Sequence, residues 1–212
     1  MHYYIGIVVP ASVLLPIGAA VYNRRALERP HRILLFYLVI AGIINGLATY
    51  TAHHKMNNLW LLHIYTAIEA VMLLWFYKAA LKDEAIKRVI PWIMILFPVI
   101  CAVNLVWGQG VYRFNTYTRP VEALILIFMG VIYLLERSRE PVGSKKGTGP
   151  AVALTWMNTG VLFYMSAALF FFIFSNFLQQ GLSMSDFITD CHATFVLIMY
   201  LLFMIGFLKC RS

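Results

Sequence analysis

Apolar runs long enough to cross a bilayer recur along the whole chain, separated by short polar connectors. A spanning helix needs about 20 predominantly apolar residues. The pattern predicts seven such spans, over residues 3–22, 33–51, 59–81, 89–107, 120–136, 151–178 and 187–208. Between them lie NRRALERPHR, AHHKMNN, KDEAIKR, GQGVYRFNTYTR, RSREPVGSKKGTGP and QQGLSMSD, of which the fifth is the flexible, polar linker. Pro10, Pro16, Pro91 and Pro98 fall inside spans, where neighbours satisfy the freed backbone groups and the helix bends. Pro120 suits the first turn of the fifth span. The expected fold is all-α: one polytopic bundle of seven transmembrane helices, a single domain over residues 1–212.

Composition supports this class. The chain is 61% hydrophobic and 12% charged, with mean hydropathy +0.76, whereas a soluble domain is about 45–50% apolar and about 25% charged. The N-terminal MHYYIGIVVPASVLLPIGAAVY lacks a basic region and a small-residue cleavage pattern, so it reads as a retained span.

Charge gives orientation. Of the 17 Lys and Arg residues, 14 fall on one side: Arg24, Arg25, Arg29, Arg32, Lys78, Lys82, Lys87, Arg88, Arg137, Arg139, Lys145, Lys146, Lys209 and Arg211. Lys55, Arg113 and Arg119 fall on the other, and no cation is expected deep in a span. The positive-inside rule then puts the N-terminus outside and the C-terminus in the cytoplasm. The +8 net charge reflects this topology and contact with anionic lipid rather than nucleic acid, because it is spread over loops at membrane level. Tyr3, Tyr4, Tyr50, Trp60, Trp107 and Tyr117 at one edge, and Tyr22, Trp75, Tyr77, Trp92, Tyr133 and Trp156 at the other, read as interfacial belts.

Few ionisable groups fall within spans: Glu69, Glu122 and Asp190, with His63 and His192. Glu69 is the informative one. A carboxylate at bilayer depth costs at least about 2.5 kcal/mol and survives facing a protein interior or a wet cavity. At 1.5 Å per residue His63 lies about 6 Å and Glu69 about 15 Å into the third span. Tyr65, Thr66 and Glu69 share one helical face, with His63 about 120° away. Asn45, Asn104, Ser175, Asn176, Asp190 and His192 fall in the same outer half, while Asn158 and Thr159 are the chief polar residues of the inner half. Asp190 shares a face with Thr194, and His192 lies about 160° round from Asp190, which argues against a metal or catalytic pair. Glu122, beside Arg119, reads as an interfacial residue.

Two accounts fit. One is an outward-facing ligand site built from Glu69, His63, Tyr65, Thr66, Asn45, Asn104, Asp190 and His192. The other is a set of unrelated interhelical hydrogen bonds, each worth about 0.6 kcal/mol. Gly42 and Gly46 of AGIING have the spacing of close helix approach, read first as packing within the bundle and second as a dimer contact. Cys101, Cys191 and Cys210 show neither a disulfide framework nor metal spacing, so free thiols are expected.

Known seven-span families narrow the field. The last span has no mid-span lysine, so no retinal Schiff base is expected; Lys209 sits at its end. The His-x-x-x-His zinc pair of the ceramidase and adiponectin-receptor superfamily is missing, as are the Pro-Gln pair of the PQ-loop and sugar-efflux families and any convincing internal repeat. The segment NNLWLLHIYTAIEAVMLLWFY resembles a pattern in small, uncharacterised seven-span proteins of Bacteroidetes. That resemblance implies the same architecture and a multi-pass protein of the bacterial inner membrane, and supplies no activity. The expected function is a receptor-like or accessory module that binds a small or lipidic ligand, or a membrane partner, through the outer half of the bundle. Rivals are a stably bound subunit of a larger complex and an intramembrane hydrolase using Glu69 and His63, with the weight against an enzyme. No cofactor is indicated. Expected partners are membrane lipids and a membrane protein or a second copy of the chain.

Overall fold

A computed structural model describes residues 3–108, 115–139, 149–178 and 182–211, without the side chains at 172, 174–178 and 182–189. Among them, seven helices are long and apolar enough to cross a membrane, and no strand occurs. They are α1 (Tyr4–Tyr22), α2 (Arg29–His53), α3 (Leu59–Ala80), α4 (Glu84–Gly108), α5 (Thr118–Ser138), α6 (Gly149–Leu178) and α7 (Leu182–Lys209).

α4 runs past its apolar window because a polar flank caps it. Asp83 accepts hydrogen bonds from the backbone N–H groups of Ala85 and Ile86 at 2.8 and 3.3 Å, starting α4 five residues before its expected span. An N-cap carboxylate meets two of the four donors a helix start leaves open. Pro30 sits in the first turn of α2, where its missing N–H costs nothing. At the bundle end of the 3–4 connector, Glu136 of α5 accepts from the N–H groups of Lys82 and Asp83 at 2.8 and 2.9 Å. α1, which holds Pro10 and Pro16, opens with a π-helical turn over Tyr4–Val8 and breaks at Val13, and α4 widens to a π turn over Asn104–Gly108.

α3 is the most buried of the seven helices and contacts α2, α4 and α5. The α5–α6, α6–α7, α7–α1 and α1–α2 contacts close a ring, with α4 outside it against α3. One end of the bundle carries the Arg24–Ala26 turn and the starts of α2 and α4, and is termed the basic end; the other, where α1 begins, is the N-terminal end. Asn23 locks the basic end by donating to the carbonyl of Phe207 at 2.9 Å.

The half toward the basic end is a dry core of Leu34, Leu38, Leu73, Leu74, Phe76, Leu126, Met157, Val161, Phe203 and Phe207. One polar link runs through it: the Tyr77 hydroxyl donates to Asn158 at 2.9 Å, and Asn158 donates to the Gly130 carbonyl at 3.3 Å. This corrects the belt reading of two aromatics. Tyr77 is fully buried and Tyr133 is 5% exposed, since each ring completes the core and Asn158 gives the Tyr77 hydroxyl its partner. Trp107, at the end of α4, and Trp92, about two turns into it, do stand exposed. Thr159 bonds its own helix at Thr155.

Close helix approach occurs elsewhere than at AGIING. Gly46 has open space where a side chain would stand, and Gly42 lies only in ordinary contact with Val13, so the pair does not knit the bundle. The tight contact is between α6 and α7: a Cβ on Gly206 would meet the backbone oxygen of Ala153 at 3.0 Å and Met157 Cγ at 2.9 Å. Backbone cannot yield as a side-chain tip can. Gly206→Val is therefore expected to lose about 1–3 kcal/mol through overpacking, read as a lowered thermal midpoint in detergent; Gly46→Val, by contrast, should leave the midpoint unchanged.

Candidate functional site

α5 begins below the bundle rim at the N-terminal end. Asn115, just before α5, donates to Thr66 Oγ1 at 3.2 Å and accepts from the Thr118 hydroxyl at 2.5 Å and its backbone N–H at 3.2 Å. Thr66 stands seven residues into α3, so this anchor lies about 10 Å along that helix. The next residue in α5, Arg119, is thereby drawn into the bundle.

This corrects two expectations. Arg119 is not an exposed loop cation but is 4% exposed, and Glu122 is not interfacial but 1% exposed. The Arg119 guanidinium donates through one nitrogen to Glu69 Oε2 and, at 2.6 Å, to Glu122 Oε2. Its other terminal nitrogen donates to the Tyr164 hydroxyl at 3.2 Å, and its carbon sits 5.6 Å from the Tyr65 ring centroid. The remaining oxygen of Glu69 accepts from Tyr37 at 2.7 Å and Tyr65 at 3.0 Å. Tyr164 continues to His192 of α7 at 3.4 Å. The cluster thus joins α2, α3, α5, α6 and α7 through hydrogen bonds and ion pairs.

Of the residues expected to line a site, Glu69, Tyr65 and Thr66 belong to this cluster, and His192 reaches it through Tyr164. Asn45 joins its edge, donating to the Tyr200 hydroxyl at 3.3 Å. His63 is buried on α3, about one and two-thirds turns before Glu69. Asn104 stands in the terminal π turn of α4. Asp190 is half-buried, and its carbonyl takes the Thr194 hydroxyl at 2.8 Å. Arg113, Lys145, Lys146 and the side chains of Ser175 and Asn176 lie outside the described residues. The sequence pattern does not single out Tyr37, Asn115, Arg119, Tyr164 or Tyr200 for this site. The available signal was the Arg119–Glu122 pair, opposite charges three apart at the start of an apolar span, on the same helical face.

Burying an ion pair is expensive, since desolvation can exceed the attraction, and it holds only where further hydrogen bonds saturate the charges. Glu69 meets that condition with three donors on two oxygens. Both of its oxygens are engaged, so in this state it is no free general base. The three cysteines carry free thiols. Among the described residues no group of three or more His, Cys, Asp or Glu could hold a metal ion.

Fold and cluster together define a membrane-type bundle of seven helices tied near one end by a buried carboxylate–guanidinium–carboxylate network. In comparison with known proteins, no family model, no curated protein and no solved structure matches this chain.

Proposed function

We propose that the chain is a receptor-like or accessory module of the bacterial inner membrane, with its N-terminus outside and its C-terminus in the cytoplasm. A small or lipidic ligand, or a membrane partner, acts on the buried network in the outer half of the bundle. The carrying observation is that one guanidinium holds carboxylates on two helices and a tyrosine on a third. A ligand that competes for Arg119 or for either carboxylate changes which helices are tied, and so shifts the bundle between arrangements. With connectors this short, the response passes through helix movement to a partner. The hydrolase alternative is less favoured because Glu69 is saturated by donors.

Native mass spectrometry of protein released from its own membrane in mild detergent tests the reading. The wild type is expected to retain a bound small molecule, lipid or protein partner, and a folded Glu69→Gln variant is expected to lose it. A bare chain in both samples overturns it.

Orientation rests on the 14:3 distribution of basic residues. In a background without native cysteines, an impermeant thiol reagent applied outside should label Lys55→Cys and Arg113→Cys and spare Arg25→Cys and Lys145→Cys. The reverse pattern would place the C-terminus outside.

A further inference from the structure

Among the described residues the buried network has two carboxylates and one guanidinium. Its two acids are not alike. Glu69 has both oxygens engaged by donors, as an ionised carboxylate requires. Glu122 has one oxygen on Arg119, while its Oε1 is buried and has no hydrogen-bond partner among the described residues. A bare anionic oxygen out of water is among the most costly groups a bundle can hold. One further positive charge at that oxygen removes both the excess charge and the missing contact.

We infer that Glu122 Oε1 is a binding site for one small cation, a proton or a monovalent metal ion, held against the Arg119–Glu69 pair. The inference rests on reading this network as the responsive site, and it names a ligand class for it. In the proton case an O–H bond forms on Oε1 with a proton from solvent, and the carboxylate becomes neutral. In the metal case the ion takes Oε1 as a ligand and the carboxylate stays charged. Either occupant weakens the hold of Glu122 on Arg119 and leaves the guanidinium more fully to Glu69.

Other titratable groups surround the site. Tyr37 comes from α2, Glu69, Tyr65 and His63 from α3, and Cys101 from α4, beside Thr118. Arg119 is on α5 itself, Tyr164 comes from α6, and His192 and Tyr200 from α7. Of these only Glu69 shares the carbonyl signature of a protonated acid, so infrared spectroscopy separates Glu122 from the tyrosines, histidines and thiol.

The test uses the full chain in lipid nanodiscs, without ligand or partner, so that it can fail while the native mass spectrometry above succeeds, and the reverse. Infrared spectra are taken across the pH range in which the protein stays folded, and thermal midpoints are taken in sodium, potassium or an organic cation too large to enter. A protonated-carboxyl band present in the wild type, missing from Glu122→Gln and shifted in frequency in Glu122→Asp assigns a proton to Glu122 rather than to Glu69. A midpoint that rises and saturates with sodium or potassium in the wild type only assigns a metal ion. A wild type with neither the band nor a specific ion response overturns the inference, as does a band that survives Glu122→Gln. If Glu122→Gln does not fold, Glu122→Asp replaces it: the band or the ion response must shift, and an unchanged wild-type response in Glu122→Asp is equally fatal.

Discussion

Arg119→Met should lose about 3–5 kcal/mol of bundle stability, the cost of leaving a buried charge without its partner. The physical reason is specific to this site. Glu69 and Glu122 both direct an oxygen at the same guanidinium nitrogen. Methionine fills much of the same volume but offers neither charge nor donor. Two carboxylates then face each other in a buried setting, and Tyr164 loses the donor that it meets at 3.2 Å. The measurement is the thermal or denaturant midpoint in detergent. A triple variant isolates the electrostatic part: Arg119→Met combined with Glu69→Gln and Glu122→Gln removes every formal charge of the network and should recover most of the loss. Replacing a whole buried ionic group by neutral residues is often close to neutral, whereas removing one member is not. A single variant as stable as the wild type, or a triple variant no better than the single, would mean that Arg119 is held by packing alone.

The seven helices were legible because bilayer-length apolar runs are a strong signal, and local capping shifts only their ends. Asp83 and Pro30 moved helix starts by a few residues without altering the count. The organising role of Glu69 was also legible, since an acid in mid-span needs a partner. Its partner was not. Arg119 follows a polar connector and precedes Pro120, so linear hydropathy places it at the surface. What buries it is tertiary: Asn115 grips Thr66 and starts α5 about 10 Å down α3. Tyr37 and Tyr164 were hidden for a different reason. A tyrosine in an apolar span reads as core or belt until a structure shows where its hydroxyl points. Gly206 illustrates the converse of AGIING, with Gly46 of the motif facing open space and a lone glycine sitting where two backbones meet.

Glu69 variants should separate charge from hydrogen bonding in the same network. Glu69→Leu removes the acceptor of Tyr37, Tyr65 and Arg119 together, leaving two buried hydroxyls without it. A loss of about 3–5 kcal/mol is expected, as for any broken buried pair. Glu69→Gln behaves differently. Turned with its oxygen toward Arg119, the amide presents its nitrogen to the two tyrosines, whose hydroxyls can switch from donating to accepting. The hydrogen bonds survive and only their charge assistance is lost, so the loss should be about 1–3 kcal/mol. The charge count changes as well. With Gln at position 69, Arg119 faces Glu122 alone and the two balance, so the demand for an added cation disappears although Glu122 is untouched. Glu69→Gln should therefore be mildly destabilised and, unlike the wild type, insensitive to sodium and potassium and without a protonated-carboxyl band. If Glu69→Leu and Glu69→Gln lose equal stability, the tyrosine contacts carry none of the energy assigned to them. If Glu69→Gln keeps the full cation response, the excess negative charge is not what draws the cation to Glu122.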